Sequence, residues 1–380
     1  MLKILVDENI PFGSEAFSEF GEVQLAAGRD ITNSMLKQTD LLIIRSVTKV
    51  NSSLLKNTPV KFVGSTTIGL DHIDTGYLRK NNISFANAPG CNAYSVAEYI
   101  MSILIKLASE QDFDLKTKSL GIIGYGNIGT KAAKFAEALG MTTLINDPPL
   151  KRKTGDSLFV SYEEALNADI ITYHVPLNMK GIDKTYHMLS AGQLKKFDDR
   201  KIIINASRGP VISNDDLKAF LLKNGNTVIL DVWEDEPRID ADLLNLLKFA
   251  SAHIAGYSLE GKVNGTIMIY DELCRFLNTN PSWQPVLPPV AMPLLDYPEG
   301  ENLEIALNKI ISAIYNIEDD NNRLRKISEL QKNDQGLYFD YLRKNYPIRR
   351  EFPNYTIRIN RQLPTERKLL ESLRFHTITE

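Results

Sequence analysis

Leu120-Gly121-Ile122-Ile123-Gly124-Tyr125-Gly126-Asn127-Ile128-Gly129 runs an apolar strand straight into a Gly-x-Gly-x-x-Gly turn, and a helical pattern follows from Thr130 to Leu139. Each glycine has its own physical reason. Gly124 permits a tight turn, Gly126 lets backbone approach a pyrophosphate, and Gly129 lets the helix lie close to the strand. The helix N-terminus, with Asn127 and Ile128 leading into it, then faces the phosphates. An ordinary strand-to-helix loop can carry the same glycines, so the flanks decide. Gly140 closes the helix, Thr142 to Asn146 reads as the next strand, and Asp147 stands at its end, where a carboxylate receives ribose hydroxyls. That carboxylate would repel a 2'-phosphate, so Asp147 predicts NAD rather than NADP. Lys151-Arg152-Lys153 then reads as a solvated loop.

Working outward, short apolar runs recur on both sides of the loop. Lys3 to Val6, Leu41 to Ile44, Lys61 to Val63 and Ile83 to Ala86 are predicted strands of one parallel sheet. Thr142 to Asn146, Ile170 to Tyr173, Lys201 to Asn205 and Thr227 to Leu230 continue a second, with helical segments such as Asn214 to Lys223 between them. Asn280 to Pro298 is crowded with proline and reads as a linker. Beyond it, Leu303, Leu307, Ile310, Ile314 and Ile317 share one helical face, to be buried within a small C-terminal domain or at a subunit interface. Tyr355 to Ile359 and Glu366 to Arg374 add a strand and a helix. The fold class is therefore α/β: two parallel-sheet domains followed by a small α+β C-terminal domain.

Composition narrows the partners. With 380 residues, 43% of them hydrophobic, two or three packed domains are expected. A net charge of -3 with interspersed signs gives no bulk attraction to nucleic acid, so small molecules are the expected ligands. The N-terminal apolar run is too short for a signal peptide, and the most apolar stretch, Ala93 to Ala108, carries Glu98 and Lys106 and is too short for a bilayer. A cytoplasmic protein without membrane contact is expected, with Cys91 and Cys274 as reduced thiols and no metal site.

In open parallel sheets ligands sit beyond the carboxyl ends of strands. Ser46 follows the strand ending near Arg45, and Ser65-Thr66-Thr67 follows the next; turn chemistry alone explains such hydroxyls equally well. Arg208 follows Asn205-Ala206-Ser207, where a planar guanidinium can grip a carboxylate through two parallel bonds. Asp231-Val232-Trp233-Glu234-Asp235-Glu236-Pro237 and Ser251-Ala252-His253-Ile254-Ala255-Gly256-Tyr257 come next. Spacing leaves open which of the three acids faces His253.

Taken in this order, these segments make the chain similar to the D-isomer-specific 2-hydroxyacid dehydrogenase family over residues 1 to 280, and further likeness to one phosphorylated-acid member extends into the C-terminal segment. That second likeness rests on Arg45-Ser46-Val47-Thr48-Lys49-Val50, Gly69-Leu70-Asp71-His72-Ile73-Asp74, Asn87-Ala88-Pro89-Gly90-Cys91-Asn92-Ala93 and His253 through Lys262. The resemblance implies a flavodoxin-like substrate-binding domain (1–95 and 257–280), a Rossmann NAD domain (96–256) and a C-terminal dimerisation domain (281–380) in a homodimer. It implies that His253 is the acid/base, that Glu236 orients it, and that Arg208 binds the carboxylate and C2 oxygen of a small phosphorylated 2-hydroxy acid. Ser46, Thr67 and Tyr257 would contact substrate; Asp147, Asp231 and Gly256 would contact NAD. Val175 stands where relatives place a threonine, keeping only a backbone contact. A basic cluster, Lys344, Arg349 and Arg350, is either a solvated loop or a group reaching the substrate phosphate across a dimer interface. Rival readings are a dehydrogenase acting on another acid, such as 3-phosphoglycerate, and an NAD-sensing interaction protein.

Overall fold

Five short runs in the first ninety-two residues form strands β1 (Leu2–Asp7), β2 (Gly21–Ala26), β3 (Leu41–Ile44), β4 (Phe62–Ser65) and β5 (Ser84–Asn87). In the computed structural model, which describes residues 1–380, they pair in parallel in the order β2-β1-β3-β4-β5, a doubly wound sheet of flavodoxin type. β2 escapes the sequence pattern because it is an edge strand whose side chains alternate with solvent instead of forming an apolar run. The Leu259–Leu277 helix covers one face, burying Ile269, Tyr270, Leu273 and Cys274 among Ile4, Val6, Ile43 and Phe62. Ser258 caps it by accepting the Gly261 N–H at 2.8 Å. Residues Met1–Asn92 and Ser258–Pro289 thus make one compact unit, in which Cys91 and Cys274 are buried and outside any disulfide.

The other unit comprises Ala93–Tyr257 and Val290–Glu380. Its main sheet contains β6 (Ser119–Ile123), β7 (Thr142–Asn146), β8 (Ile170–Tyr173), β9 (Ile202–Asn205), β10 (Thr227–Leu230) and β11 (Phe249–Ala250), all parallel, in the order β11-β10-β9-β8-β6-β7. A single parallel bridge from Ile145 to Phe159 stands where a further strand would extend the β7 edge. Counting it, the order becomes that of the doubly wound dinucleotide-binding sheet, with its switch point between β6 and β8. The Ala93–Gln111 helix is buried on almost every side, which accounts for its hydropathy; no helix is long and apolar enough to cross a membrane.

The C-terminal segment departs from expectation. β12 (Leu294–Asp296) forms inside the proline-rich stretch read as a linker, pairing with β13 (Thr356–Ile359), which pairs with β14 (His376–Thr379). The prolines bracket β12 at positions 293 and 298, where ladder donors are not required. The apolar stripe is split: the helix Leu303–Ile314 ends at Tyr315, and Ile317 opens a second helix. Leu307 and Ile310 pack in one core with Ile100, Leu104, Phe352, Ile357 and Phe375. The stripe is therefore satisfied against the Ala93–Gln111 helix rather than inside a separate C-terminal core.

Two readings of basic residues are also corrected. Lys151-Arg152-Lys153 form the last turn of a short helix, Pro148–Thr154, and Arg152 pairs with Asp183 at 2.6 Å. Arg349 and Arg350 are each 8% exposed. Arg349 donates to Ser95 and to the Ala255 carbonyl, while Arg350 donates to Asn354 at 2.7 Å. A solvated loop does not bury two guanidinium groups, and neither of these points into solvent to meet a phosphate.

Candidate active site

The glycine loop is built as its sequence suggests. Gly124 has φ +96°, and a Cβ there would stand 2.7 Å from the His174 carbonyl oxygen. A Cβ on Gly129 would lie 2.0 Å from the Gly124 carbonyl oxygen, so the Gly129–Ala138 helix can approach β6 only without one. At Gly126 nothing lies within 4 Å of that position, leaving open space before the helix N-terminus where Asn127 and Ile128 sit. Asp147 accepts the Tyr125 N–H at 2.9 Å and the Leu150 N–H at 3.0 Å, which fixes its carboxylate beside the loop. Val175 borders the same turn, its Cγ1 3.0 Å from a Cβ built on Gly124.

Arg208 follows β9 and is held from below. Asn205 is fully buried; its side-chain amide donates to the Arg208 carbonyl at 3.0 Å, and its oxygen accepts from Ser207 N–H and Oγ. Asn205 is thus a positioning residue that sequence reasoning missed, although its place as the last residue of a strand was visible.

At the end of β10 the structure separates the three acids. Glu234 is engaged by His187 at 2.6 Å and by the Asn214 N–H at 2.8 Å, and Asp235 is exposed in a left-handed turn with φ 58°. Glu236 is the one that meets His253, with Oε2 2.8 Å from Nδ1, while its Oε1 accepts the Trp233 N–H at 2.9 Å. Burial alone would raise the Glu236 carboxyl. The charge of His253 and its hydrogen bond, the charge of Arg343 and the Trp233 N–H outweigh burial and hold it below the ordinary carboxylate value. An ionised Glu236 accepts the Nδ1 proton, which makes Nε2 the basic nitrogen.

His253 itself sits at φ 56°, a region few side chains adopt, so its surroundings must over-determine it. Its N–H donates to the Asp231 carbonyl at 2.7 Å. The Asp231 side chain, 1% exposed, accepts from Ile254 N–H at 2.7 Å, Ala255 N–H at 3.0 Å and Ser251 Oγ at 2.6 Å. Asp231 therefore acts as the strut beneath the histidine loop. Gly256 and Tyr257 follow that loop, and Tyr257 meets Tyr346 edge to face at 5.8 Å.

Known proteins place this arrangement. Residues 103–255 match the model for the D-isomer specific 2-hydroxyacid dehydrogenase, NAD binding domain, and residues 286–373 match a domain of unknown function (DUF3410). Proteins named erythronate-4-phosphate dehydrogenase from Proteus mirabilis and Hydrogenovibrio crunogenus are each 41% identical to this chain, covering 99% of it and 99% and 98% of their own lengths. The chain belongs to the erythronate-4-phosphate dehydrogenase family. Among solved structures, a D-lactate dehydrogenase from Aquifex aeolicus complexed with NAD and lactic acid covers 73% of this chain and 95% of its own, at 24% identity and TM-score 0.61. An NAD+-bound 3-phosphoglycerate dehydrogenase from Entamoeba histolytica gives the same identity and coverage with a TM-score of 0.62. Both likenesses establish the fold.

For a member of the erythronate-4-phosphate dehydrogenase family, the glycine turn, the open space at Gly126 and the fixed Asp147 fit NAD. Asp147→Ser keeps a helix-capping oxygen but removes the charge beside the glycine loop. It is expected to raise the Michaelis constant for NAD roughly tenfold and to narrow the preference over NADP. An unchanged NAD/NADP ratio in initial-rate assays would remove this role from Asp147.

The first unit has its own strand-end cluster. Ser46 is exposed just after β3, and the preceding Arg45 is held by the fully buried Asp7 at 3.1 Å. After β4, Thr67 Oγ1 lies 3.0 Å from Ser65 Oγ, which lies 3.2 Å from His72 Nε2. Sequence reasoning also overlooked Arg343, next to Lys344 in the Lys332–Lys344 helix. Burial alone would lower its basicity, but Tyr257, by charge and by a side-chain hydrogen bond, and the charge of Glu236 raise it.

Proposed function

We propose that this protein oxidises 4-phospho-D-erythronate at C2 to 3-hydroxy-2-oxo-4-phosphooxybutanoate with NAD, a step of pyridoxal 5'-phosphate biosynthesis. The observation that carries the reading is the His253–Glu236 pair, at 2.8 Å, in a chain alike over 99% of its length to relatives bearing that activity's name. Oxidising a secondary alcohol removes a proton from oxygen and a hydride from carbon. NAD, when bound on the glycine loop, supplies the hydride acceptor. His253 Nε2 takes the hydroxyl proton, and the Glu236 carboxylate favours the imidazolium that results. Arg208 grips the substrate carboxylate and stabilises negative charge developing at the C2 oxygen. Ser46, Thr67 and Tyr257 contact the substrate, and the backbone at Val175 and Gly256, with Asp231 beneath, borders the cofactor.

Residues 1–95 and 257–280 are assigned to substrate binding, 96–256 to NAD and 281–380 to dimerisation, in a cytoplasmic homodimer. Support for the last assignment comes from Leu337 and Tyr341, one turn apart and 71% and 58% exposed, and from Ile348 at 71%. The test is NADH formation at near-stoichiometric enzyme, comparing 4-phospho-D-erythronate with 3-phosphoglycerate and unphosphorylated 2-hydroxy acids. Selective reduction with 4-phospho-D-erythronate, even for one turnover, supports the reading. Selectivity for another acid keeps the chemistry and changes the substrate; NAD binding without reduction of NAD by any acid favours a sensor.

A further inference from the structure

The Lys332–Lys344 helix lies over the segment that carries Glu236. A Cβ built on its Gly336 would stand 3.5 Å from Pro237 Cγ and 3.5 Å from Arg238 Cγ. Phe339, fully buried, shares a core with Trp233 and Ala252. Gly336, Phe339 and Arg343 are spaced i, i+3, i+7, so one helix face presents all three to the loops around the histidine. On that face the Arg343 guanidinium carbon lies 5.7 Å from the Tyr257 ring centroid. Its Nε is buried without a hydrogen-bond partner, a deficit that a purely structural arginine has reason to avoid.

We propose that Arg343 is a positioning residue for the dehydrogenase reaction, clamping Tyr257 against Tyr346 so that the phenol is fixed for the anionic substrate. The clamp brings the C-terminal segment into substrate recognition: residues 286–373, which contain it, lie outside the 103–255 stretch matched by the NAD-binding family model. The inference rests on the reading of Tyr257 as a substrate contact. Because Arg343 acts through Tyr257, its loss acts on substrate affinity more than on the chemical step.

The test is steady-state kinetics of full-length Arg343→Met, Arg343→Lys, Tyr257→Phe and Arg343→Met/Tyr257→Phe with 4-phospho-D-erythronate. Arg343→Met is expected to raise the substrate KM roughly tenfold with kcat within about threefold, and Arg343→Lys to recover part of that loss. The double variant is expected to have a KM no higher than the worse single variant, the non-additivity of residues acting as one unit. A wild-type KM in Arg343→Met, or in Arg343→Lys where the methionine variant does not fold, overturns the proposal. So do single effects that multiply in the double variant. An inactive wild-type enzyme would instead defeat the functional reading before any variant is compared.

Discussion

Replacing His253 with alanine is expected to lower kcat about 10²- to 10⁴-fold, the range for loss of a positioned general base. The imidazole is fixed by Glu236 at 2.8 Å and is one-third exposed, 33%, so its outer nitrogen is open to a ligand. Backbone strain complicates the alanine variant, because φ 56° disfavours it. Asparagine tolerates that conformation better, so His253→Asn separates lost chemistry from lost backbone geometry. Both variants should bind NAD like the wild type in a fluorescence titration. Full turnover by either would sink the assignment. Removing His253 also takes away the leading influence that holds the Glu236 carboxyl low. A lowered carboxyl contributes stability above its unfolded-state value, and that contribution disappears as pH falls through its folded value. Wild type should therefore lose more stability on acidification than either variant.

Asp231→Ala is expected to destabilise the protein by about 3 to 5 kcal/mol, at the upper end for single substitutions. Three donors converge on that carboxyl, and alanine leaves Ile254 N–H, Ala255 N–H and Ser251 Oγ buried without an acceptor. Ser251 is itself tied to Tyr99 at 2.7 Å, so the damage extends toward the Ala93–Gln111 helix. The two N–H groups belong to the residues directly after His253, and releasing them lets the strained histidine relax. Activity should therefore fall more steeply than folded population in paired denaturant and rate measurements. A loss under about 1 kcal/mol would show that the strut is dispensable.

The strand-end logic made much of the fold legible. β3, β8 and β10 fall on their apolar runs to the residue, because parallel strands buried on both faces leave an unbroken hydrophobic signature. β2 and β12 do not, being edge strands whose pairing supplies what their side chains lack. At the site, the glycine loop and Asp147 were readable from local spacing. The choice among Glu234, Asp235 and Glu236 was not: a left-handed Asp235 and a competing partner for Glu234 decide it. The supporting roles of Asn205 and Arg343 were not legible for another reason. One acts from beneath the loop it supports, and the other stands ninety residues downstream of His253 in the sequence.

The order in which the units are threaded constrains how the chain can be made. Met1–Asn92 lacks the Leu259–Leu277 helix until residues 93–257 have been synthesised, an interval of roughly 10–30 s at ordinary translation rates. During that time the face of β1, β3 and β4 that receives Ile269 and Tyr270 has no cover of its own. The second unit waits in turn, since Phe352, Ile357 and Phe375 complete its core only as the last residues emerge. Neither half can be finished before the other has begun, so nascent chains stalled between residues 93 and 257 should be the species that chaperones hold and proteases cut.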